Sequence, residues 1–380
     1  MARTRTNLAG LRSLVKPTFF LPLLLSISCC FAQDNFHGWE TVGGTAANLH
    51  YSSLRQINKS NVSRLRVAWT YDSGDAYPNS DVQCNPIVID GVMYVTTAKL
   101  DVVALDAATG KQRWRFTDGN SRSPNGNRGV TYWTDGSQAR IFVTMGHDLL
   151  SLDAKTGKLS PDFGNQGRVD LREAFDRPLD EVSLTVTSPG IVYKDLLILG
   201  SSVSETLPAT AGDIRAYDVR TGKLRWTFHT IPHPGEFGYD TWPANAWKTS
   251  GAANNWAGMA LDVKRGLVYV PTGSAAFDFY GADRHGDNLF ANTLLCLDAA
   301  TGQRKWHFQA IHHDVWDLDF PSAPTLISVR HNGKMVDAVA QAGKTGFVYV
   351  LNRETGESLF PIKERPISSS PVDGELLAKS

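Results

Sequence analysis

The segment His312-His313-Asp314-Val315-Trp316-Asp317-Leu318-Asp319 puts two imidazoles, three carboxylates and an indole into eight residues, with Pro321 close behind. That density of titratable groups is hard to account for as a solvated turn, and it offers general-base and metal-ligand chemistry. Lys344, in Gly343-Lys344-Thr345-Gly346, follows Asp317 by 27 residues. Upstream, the small turning residues of Gly200-Ser201-Ser202-Val203-Ser204-Glu205 can present one carboxylate to a hard cation. Arg128, in Asn127-Arg128-Gly129-Val130, offers a guanidinium suited to bidentate contact with carboxylates. Trp256, in Asn254-Asn255-Trp256-Ala257, offers a large flat aromatic face. Each has a plainer structural reading as well: a loop Glu, a surface ion pair, a core indole.

The elements that must position these groups are repeats. A phrase of an apolar run, Leu-Asp-Ala-x-Thr-Gly-Lys and Trp-x-Phe appears at Leu105 to Lys111 with Trp114 and Phe116. It returns at Leu152 to Lys158 without its tryptophan, at Tyr217 to Lys223 with Trp226 and Phe228, and at Leu297 to Gly302 with Trp306 and Phe308. A weaker copy runs from Leu351 to Gly356, and Trp69 looks like the tail of one more. The pattern predicts a hairpin: an apolar strand, an Asp-x-x-Thr-Gly turn with Gly at positive φ, and a returning strand whose Trp and Phe share a face. Such sheets packed radially make a propeller. The equivalent Asp or Asn positions are 47, 65, 80 and 54 residues apart. A bare blade takes roughly 40–50 residues, so the longest loops precede the third and fourth copies. Helix is expected to be scarce, with at most a short turn over residues 170–175.

These repeats, and the segments between them, resemble the pyrroloquinoline-quinone (PQQ) dehydrogenases, eight-bladed β-propellers with tryptophan-docking repeats. The resemblance runs from about Gly38 to Pro366. It implies an all-β propeller domain over residues 33–366, with about five to six of the eight family blades present, and an irregular tail over residues 367–380. It implies PQQ and Ca2+ as cofactors, with Glu205, Asp317 and Ser274 at the metal. Ser274, in Pro271-Thr272-Gly273-Ser274, stands where alcohol-oxidising relatives carry Asn. On the same likeness Arg128, Thr187 and Ser202 meet the cofactor's carboxylates, and Gln83 takes the place of a Glu in those relatives. Trp256 stacks beneath the quinone rings, and Lys344 faces the reactive carbonyls. Asp317 is the general base, by its spacing to Lys344, with Asp314 as the fallback. The His-His-Asp segment is more similar to the membrane-bound glucose dehydrogenases than to the methanol or ethanol enzymes. The implied reaction is oxidation of an aldose or alcohol hydroxyl in the periplasm, with electrons passing to a quinone or cytochrome and peripheral membrane association admissible.

Composition narrows the alternatives. Lys+Arg and Asp+Glu both number 38 in 380 residues, so no basic field invites nucleic acid. No glycine pattern lies between a strand and a helix to bind NAD, and no haem attachment motif is present. Residues 1–32 read as an export signal: Arg3, Arg5, Arg12 and Lys16 lead a short apolar core, and Ala32 precedes the expected cleavage point. A lipid on Cys29 or Cys30 is the alternative. The remaining pair, Cys84 and Cys296, makes neither a disulfide framework nor a zinc site. Against eight blades in the family the sequence is short, which points to a fragment. The rival function is a non-catalytic propeller that binds protein partners in the cell envelope, since such scaffolds share the repeats.

Overall fold

Each Asp-x-x-Thr-Gly phrase closes a β-hairpin. At the first, Asp106 accepts from the Thr109 backbone N–H at 3.1 Å, and the Gly110 N–H reaches the Asp106 carbonyl at 2.8 Å. Gly110 then takes a φ of +71°, a conformation open to glycine at no steric cost. The same side-chain bond recurs from Thr156 to Asp153, Thr221 to Asp218, Thr301 to Asp298 and Thr355 to Asn352.

The computed structural model describes residues 38–118, 126–175 and 178–380. The expected export signal, with Cys29, Cys30 and Ala32, lies outside the described residues. Five antiparallel sheets follow one another along the chain. The first joins Gly38–Trp39, Ile87–Ile89, Val92–Thr96, Val102–Asp106 and Gln112–Phe116 in that order. The second runs Thr131–Thr134, Ala139–Met145, Asp148–Asp153, Arg168–Asp170, and the third Ile191–Tyr193, Leu196–Leu199, Ile214–Asp218, Leu224–Phe228. The fourth is Ala260–Asp262, Leu267–Pro271, Thr293–Asp298, Arg304–Gln309, and the fifth Thr325–His331, Lys334–Ala342, Val348–Asn352. A two-stranded pair, Leu184–Thr185 with Ser202–Val203, stands apart from these. Helix is scarce as expected: one turn of α-helix at Ala246–Thr249 and short 3-10 turns, one of them Leu171–Ala174, capped by Asp170. Among the described residues no helix is long and apolar enough to cross a membrane.

The core is a series of apolar layers, one between each successive pair of sheets. Ile87, Val102 and Ala104 meet Ile141, Val143 and Leu150; Phe142 and Leu149 meet Leu197 and Tyr217. Ile198, Ile214 and Ala216 meet Val268, Val270 and Leu295; Tyr269, Leu294 and Cys296 meet Leu326, Val339 and Leu351. The tryptophans lock the layers. Trp114 donates its indole N–H to the Ala154 carbonyl of the next sheet at 3.0 Å, Trp226 to Ala299 at 3.3 Å and Trp306 to Arg353 at 3.2 Å. Each ring lies flat on the next turn glycine, so that a Cβ on Gly157, Gly302 or Gly356 would come 2.5–2.7 Å from a ring carbon. The second repeat has no tryptophan, and Val169 and Phe163 take its place against Gly222. Trp69 docks in the same way, on Gly110 and the Ala107 carbonyl. Residues 65–71 nevertheless form no strand, because no partner strand among the described residues pairs with them. Five sheets and one docked tryptophan are therefore what the repeats produce. Residues 367–380 carry no strand or helix, yet Glu375 is buried there, bonding the Gly281 N–H and the His313 ring.

Candidate active site

The loops between the sheets are stitched to one another by backbone hydrogen bonds, and this brings distant side chains together. The Asn85 N–H reaches the Arg128 carbonyl, and the Arg128 N–H the Thr187 carbonyl. Ser201 bonds Asn255, Gly273 bonds Asn254, Ala253 bonds Ser274, and Lys344 bonds the Asp319 carbonyl. A cavity of about 370 Å³ results, lined by Gln83, Arg128, Thr187, Ser202, Glu205, Trp256, Ser274 and Lys344, and also by Asn254, Asp278 and Asp319. Eight residues singled out in the sequence thus converge. A larger cavity of about 610 Å³ takes only Arg128 from that set, and its remaining walls are mainly apolar and backbone.

Arg128 sets the anionic end. Its guanidinium donates to the Thr187 hydroxyl at 2.6 Å and more loosely to Ser188. No carboxylate of the described residues pairs with it, and burial holds its pKa below the usual value. A half-buried cation without an acid partner is suited to an anionic ligand. Trp256 makes the floor: the Arg128 guanidinium lies 5.6 Å and the Lys344 ammonium 5.9 Å from its ring centroid.

Asp319 holds that floor in place. The Trp256 indole N–H donates to its Oδ2 at 3.0 Å, Lys344 Nζ to the same oxygen at 3.1 Å, and the Ser274 backbone N–H to Oδ1 at 2.6 Å. Asp317 stands differently. It is not part of the cavity wall and reaches the cavity through Lys344, whose Nζ donates to its Oδ1 at 2.7 Å. Burial raises the Asp317 pKa despite the Lys344 bond, and the neighbouring Asp319 charge adds to the rise. For Lys344, burial acts downward, but Asp317 and Asp319 outweigh it and hold the ammonium above its ordinary value.

Three expectations need correcting or refining. Asp314, the fallback base, is 2% exposed and accepts from the Ser274 hydroxyl, Asn292 Nδ2, and the Trp316 and Leu318 N–H groups. With both oxygens engaged in shaping its own loop it is unfit as a base, and the expectation stays with Asp317. Ser274 does line the cavity, but its hydroxyl donates to Asp314 and accepts from Asn292. Gln83 is exposed at the cavity edge, its amide donating to Asp81 at 2.7 Å.

Sequence reasoning missed Asp278 and did not separate Asp319 from its neighbours. Asp278 is 4% exposed, and burial, then the charges of Glu205, Asp317 and Asp319, push its pKa up to about 7. The available signal was an acid embedded in the apolar run Ala275-Ala276-Phe277-Asp278-Phe279-Tyr280 within a long insertion. The preassembled donor triad among the described residues, His147, Asp148 and Asp170, lies elsewhere; no three acids of the cavity come within 4.8 Å of one another.

The residues present fit an anionic, planar cofactor with a hard cation: a clamp at Arg128, a stacking face at Trp256, a cation at Lys344, and the oxygens of Glu205. Comparison with known proteins agrees. A family profile described as glucose/ethanol/alcohol dehydrogenase, beta-propeller domain (PQQ) matches residues 39–380. Quinoprotein glucose dehydrogenase A of Acinetobacter calcoaceticus is 35% identical over 370 residues, covering 88% of this chain and 45% of that protein. Quinoprotein glucose dehydrogenase of Escherichia coli K12 is 31% identical, over 89% of this chain and 45% of its own length. The crystal structure of quinohemoprotein alcohol dehydrogenase from Comamonas testosteroni superposes with a TM-score of 0.75 at 29% identity, over 88% of this chain and 50% of that one. The chain spans about half the length of the curated relatives it matches.

Proposed function

The chain belongs to the PQQ glucose/ethanol/alcohol dehydrogenase β-propeller family, and from that premise we propose that it oxidises the hydroxyl of an aldose or alcohol in the periplasm. The electrons pass onward to a quinone or cytochrome. The observation that carries the reading is the convergence of Arg128, Trp256, Glu205, Asp319 and Lys344 on one cavity of about 370 Å³, with Asp317 on Lys344. An aldose is the favoured substrate, since two quinoprotein glucose dehydrogenases are among the relatives and the His-His-Asp segment resembles theirs.

PQQ, when bound, supplies the two-electron acceptor, and a calcium ion the Lewis acidity that makes it electrophilic. Arg128, with Thr187 and Ser202, would hold the carboxylates of the cofactor. Trp256 would supply an aromatic face for stacking, and Glu205 would offer oxygen to the metal. Asp317 accepts the substrate hydroxyl proton. Its raised pKa makes it a better base than an ordinary carboxylate. Asp319 is unsuited to that work because both its oxygens are engaged. It acts as a positioning residue, orienting Trp256 and Lys344. Lys344, which lines the cavity, would supply the positive charge that favours a reduced, more anionic cofactor.

The test is reconstitution. Purified protein given PQQ and Ca2+ is expected to take up the quinone absorbance and to reduce an artificial dye with glucose, or more slowly with ethanol. Asp317→Asn is expected to keep the bound absorbance and lose turnover by about 10²–10⁴-fold, the range for a removed general base. Wild-type protein that binds no PQQ would refute the cofactor reading; full turnover in the loaded variant would refute the base.

A further inference from the structure

The metal side of the cavity is short of one oxygen and offers another. Ser274 occupies a cavity wall, but its hydroxyl proton is given to Asp314 and its oxygen accepts from Asn292. Four residues on, in the same loop, Asp278 lines the same cavity at 4% exposure. Among the described residues no donor hydrogen-bonds to its carboxylate. Arg284, the cation that acts on it electrostatically, directs its N–H groups instead to Asn288 Oδ1 and to the Phe277 and Asp314 carbonyls. A carboxylate that faces a cavity without a protein donor is placed to take a cation there. The other charges that act on Asp278 are Glu205, Asp317 and Asp319, all negative. Negative charges gathered on one cavity disfavour one another's ionised forms unless a cation joins them. Lys344 is already shared by Asp317 and Asp319, and Arg128 lies at the Thr187 side.

We infer that Asp278 is a ligand of the metal ion, supplying with Glu205 the carboxylate oxygens that Ser274 does not provide. This rests on the cofactor reading above and extends it to a residue outside the set the sequence pointed to. A hard divalent cation gathers six to eight oxygens, and its affinity rises with the number of charged ligands. The inference therefore makes Asp278 a determinant of metal affinity rather than of folding.

The experiment is a Ca2+ titration of the full chain at saturating PQQ, read by quenching of tryptophan fluorescence and not by turnover. Wild type, Asp278→Asn and Glu205→Gln are compared. The half-saturating Ca2+ concentration is expected to rise about tenfold or more in Asp278→Asn and similarly in Glu205→Gln. Thermal unfolding in EDTA supplies the second readout. Without metal, Asp278→Asn is expected to melt at or above the wild-type temperature, since it removes a buried carboxylate without donors; added Ca2+ and PQQ are expected to stabilise wild type more than the variant. A half-saturation within twofold of wild type, or an Asp278→Asn protein that melts lower in EDTA, overturns the inference. Absence of any Ca2+-dependent quenching in wild type overturns instead the cofactor reading on which it rests.

Discussion

Replacing Asp319 with asparagine keeps the side chain's shape and removes its charge, which isolates what the carboxylate does. Its Oδ1 takes the Ser274 N–H at 2.6 Å, and its Oδ2 takes both the Trp256 indole at 3.0 Å and Lys344 Nζ at 3.1 Å. An asparagine oriented to satisfy Ser274 turns an NH₂ toward two donors. A hydrogen bond to a charged group contributes about 1.5–3 kcal/mol, and the variant loses two. The Lys344 share must be discounted, because its side chain is 32% exposed and Asp317 remains as a partner. Asp319→Asn is therefore expected to destabilise the fold by about 2–4 kcal/mol, most of it through Trp256. Urea unfolding followed by fluorescence measures the loss, and a cycle with Lys344→Met assigns the lysine's part, expected at about 1 kcal/mol or less. Because the indole would lose its anchor, PQQ affinity should fall as well. An Asp319→Asn protein within about 0.5 kcal/mol of wild type, the ordinary scatter of neutral surface changes, would show that the carboxylate does not hold the floor of the cavity.

Two further outcomes follow from the structure. Gly302→Ala forces a Cβ to 2.6 Å from the Trp226 ring at a φ of +74°, so overpacking and backbone strain together should cost about 3 kcal/mol. Gly74→Ala, at φ +67° with nothing within 4 Å, should cost only about 1 kcal/mol in the same urea assay, and equal losses would remove the docking argument. Burial, with Arg304 beside it, holds the His307 pKa down at about 4, so its neutral form stabilises the fold above the unfolded value near 6.5. That contribution is lost as pH falls from about 6.5 toward 4, and between pH 7.5 and 5 it should amount to about 1–2 kcal/mol that His307→Gln abolishes; an unchanged pH slope in the variant would refute it.

The sheets were legible because a propeller repeats its turn chemistry. The Asp side chain, the positive-φ glycine and the tryptophan recur at one spacing, and each has a local cause visible in the residues. Trp69 shows where that legibility ends: its ring docks as the repeat predicts, yet its segment forms no strand, because pairing depends on a neighbour and not on the phrase. The site divides in the same way. Arg128, Glu205, Trp256 and Lys344 could be read from likeness to a family, since each does one job for one ligand. Among Asp314, Asp317 and Asp319 the sequence offers only spacing, whereas their roles are set by which oxygens are already engaged. Asp278 was passed over: its segment shows an acid set in an apolar run, but only loops from other sheets give that acid a use.

This division has a mechanical consequence. Gln83 and Arg128 come from loops at the first and second sheets, Thr187 and Glu205 from the second and third, Trp256 and Ser274 from the third and fourth, and Asp319 and Lys344 from the fourth and fifth. No single sheet carries a usable part of the cavity. The relative placement of the clamp at Arg128 and the cation at Lys344 is the sum of the intervening packings, each fixed by an apolar layer and, at most joints, by a tryptophan lying on a glycine. Positioning tolerances for catalysis are a fraction of an ångström, while a disturbed layer shifts its neighbours by about that much. A joint such as Trp226 on Gly302, which touches neither ligand nor reacting atom, is therefore expected to matter to cofactor geometry as well as to stability, whereas the joint between the second and third sheets, where Val169 and Phe163 stand against Gly222, is tied instead by polar contacts: Trp133 donates to the Lys194 carbonyl, Arg140 to the Arg220 carbonyl, and Arg220 pairs with Asp135.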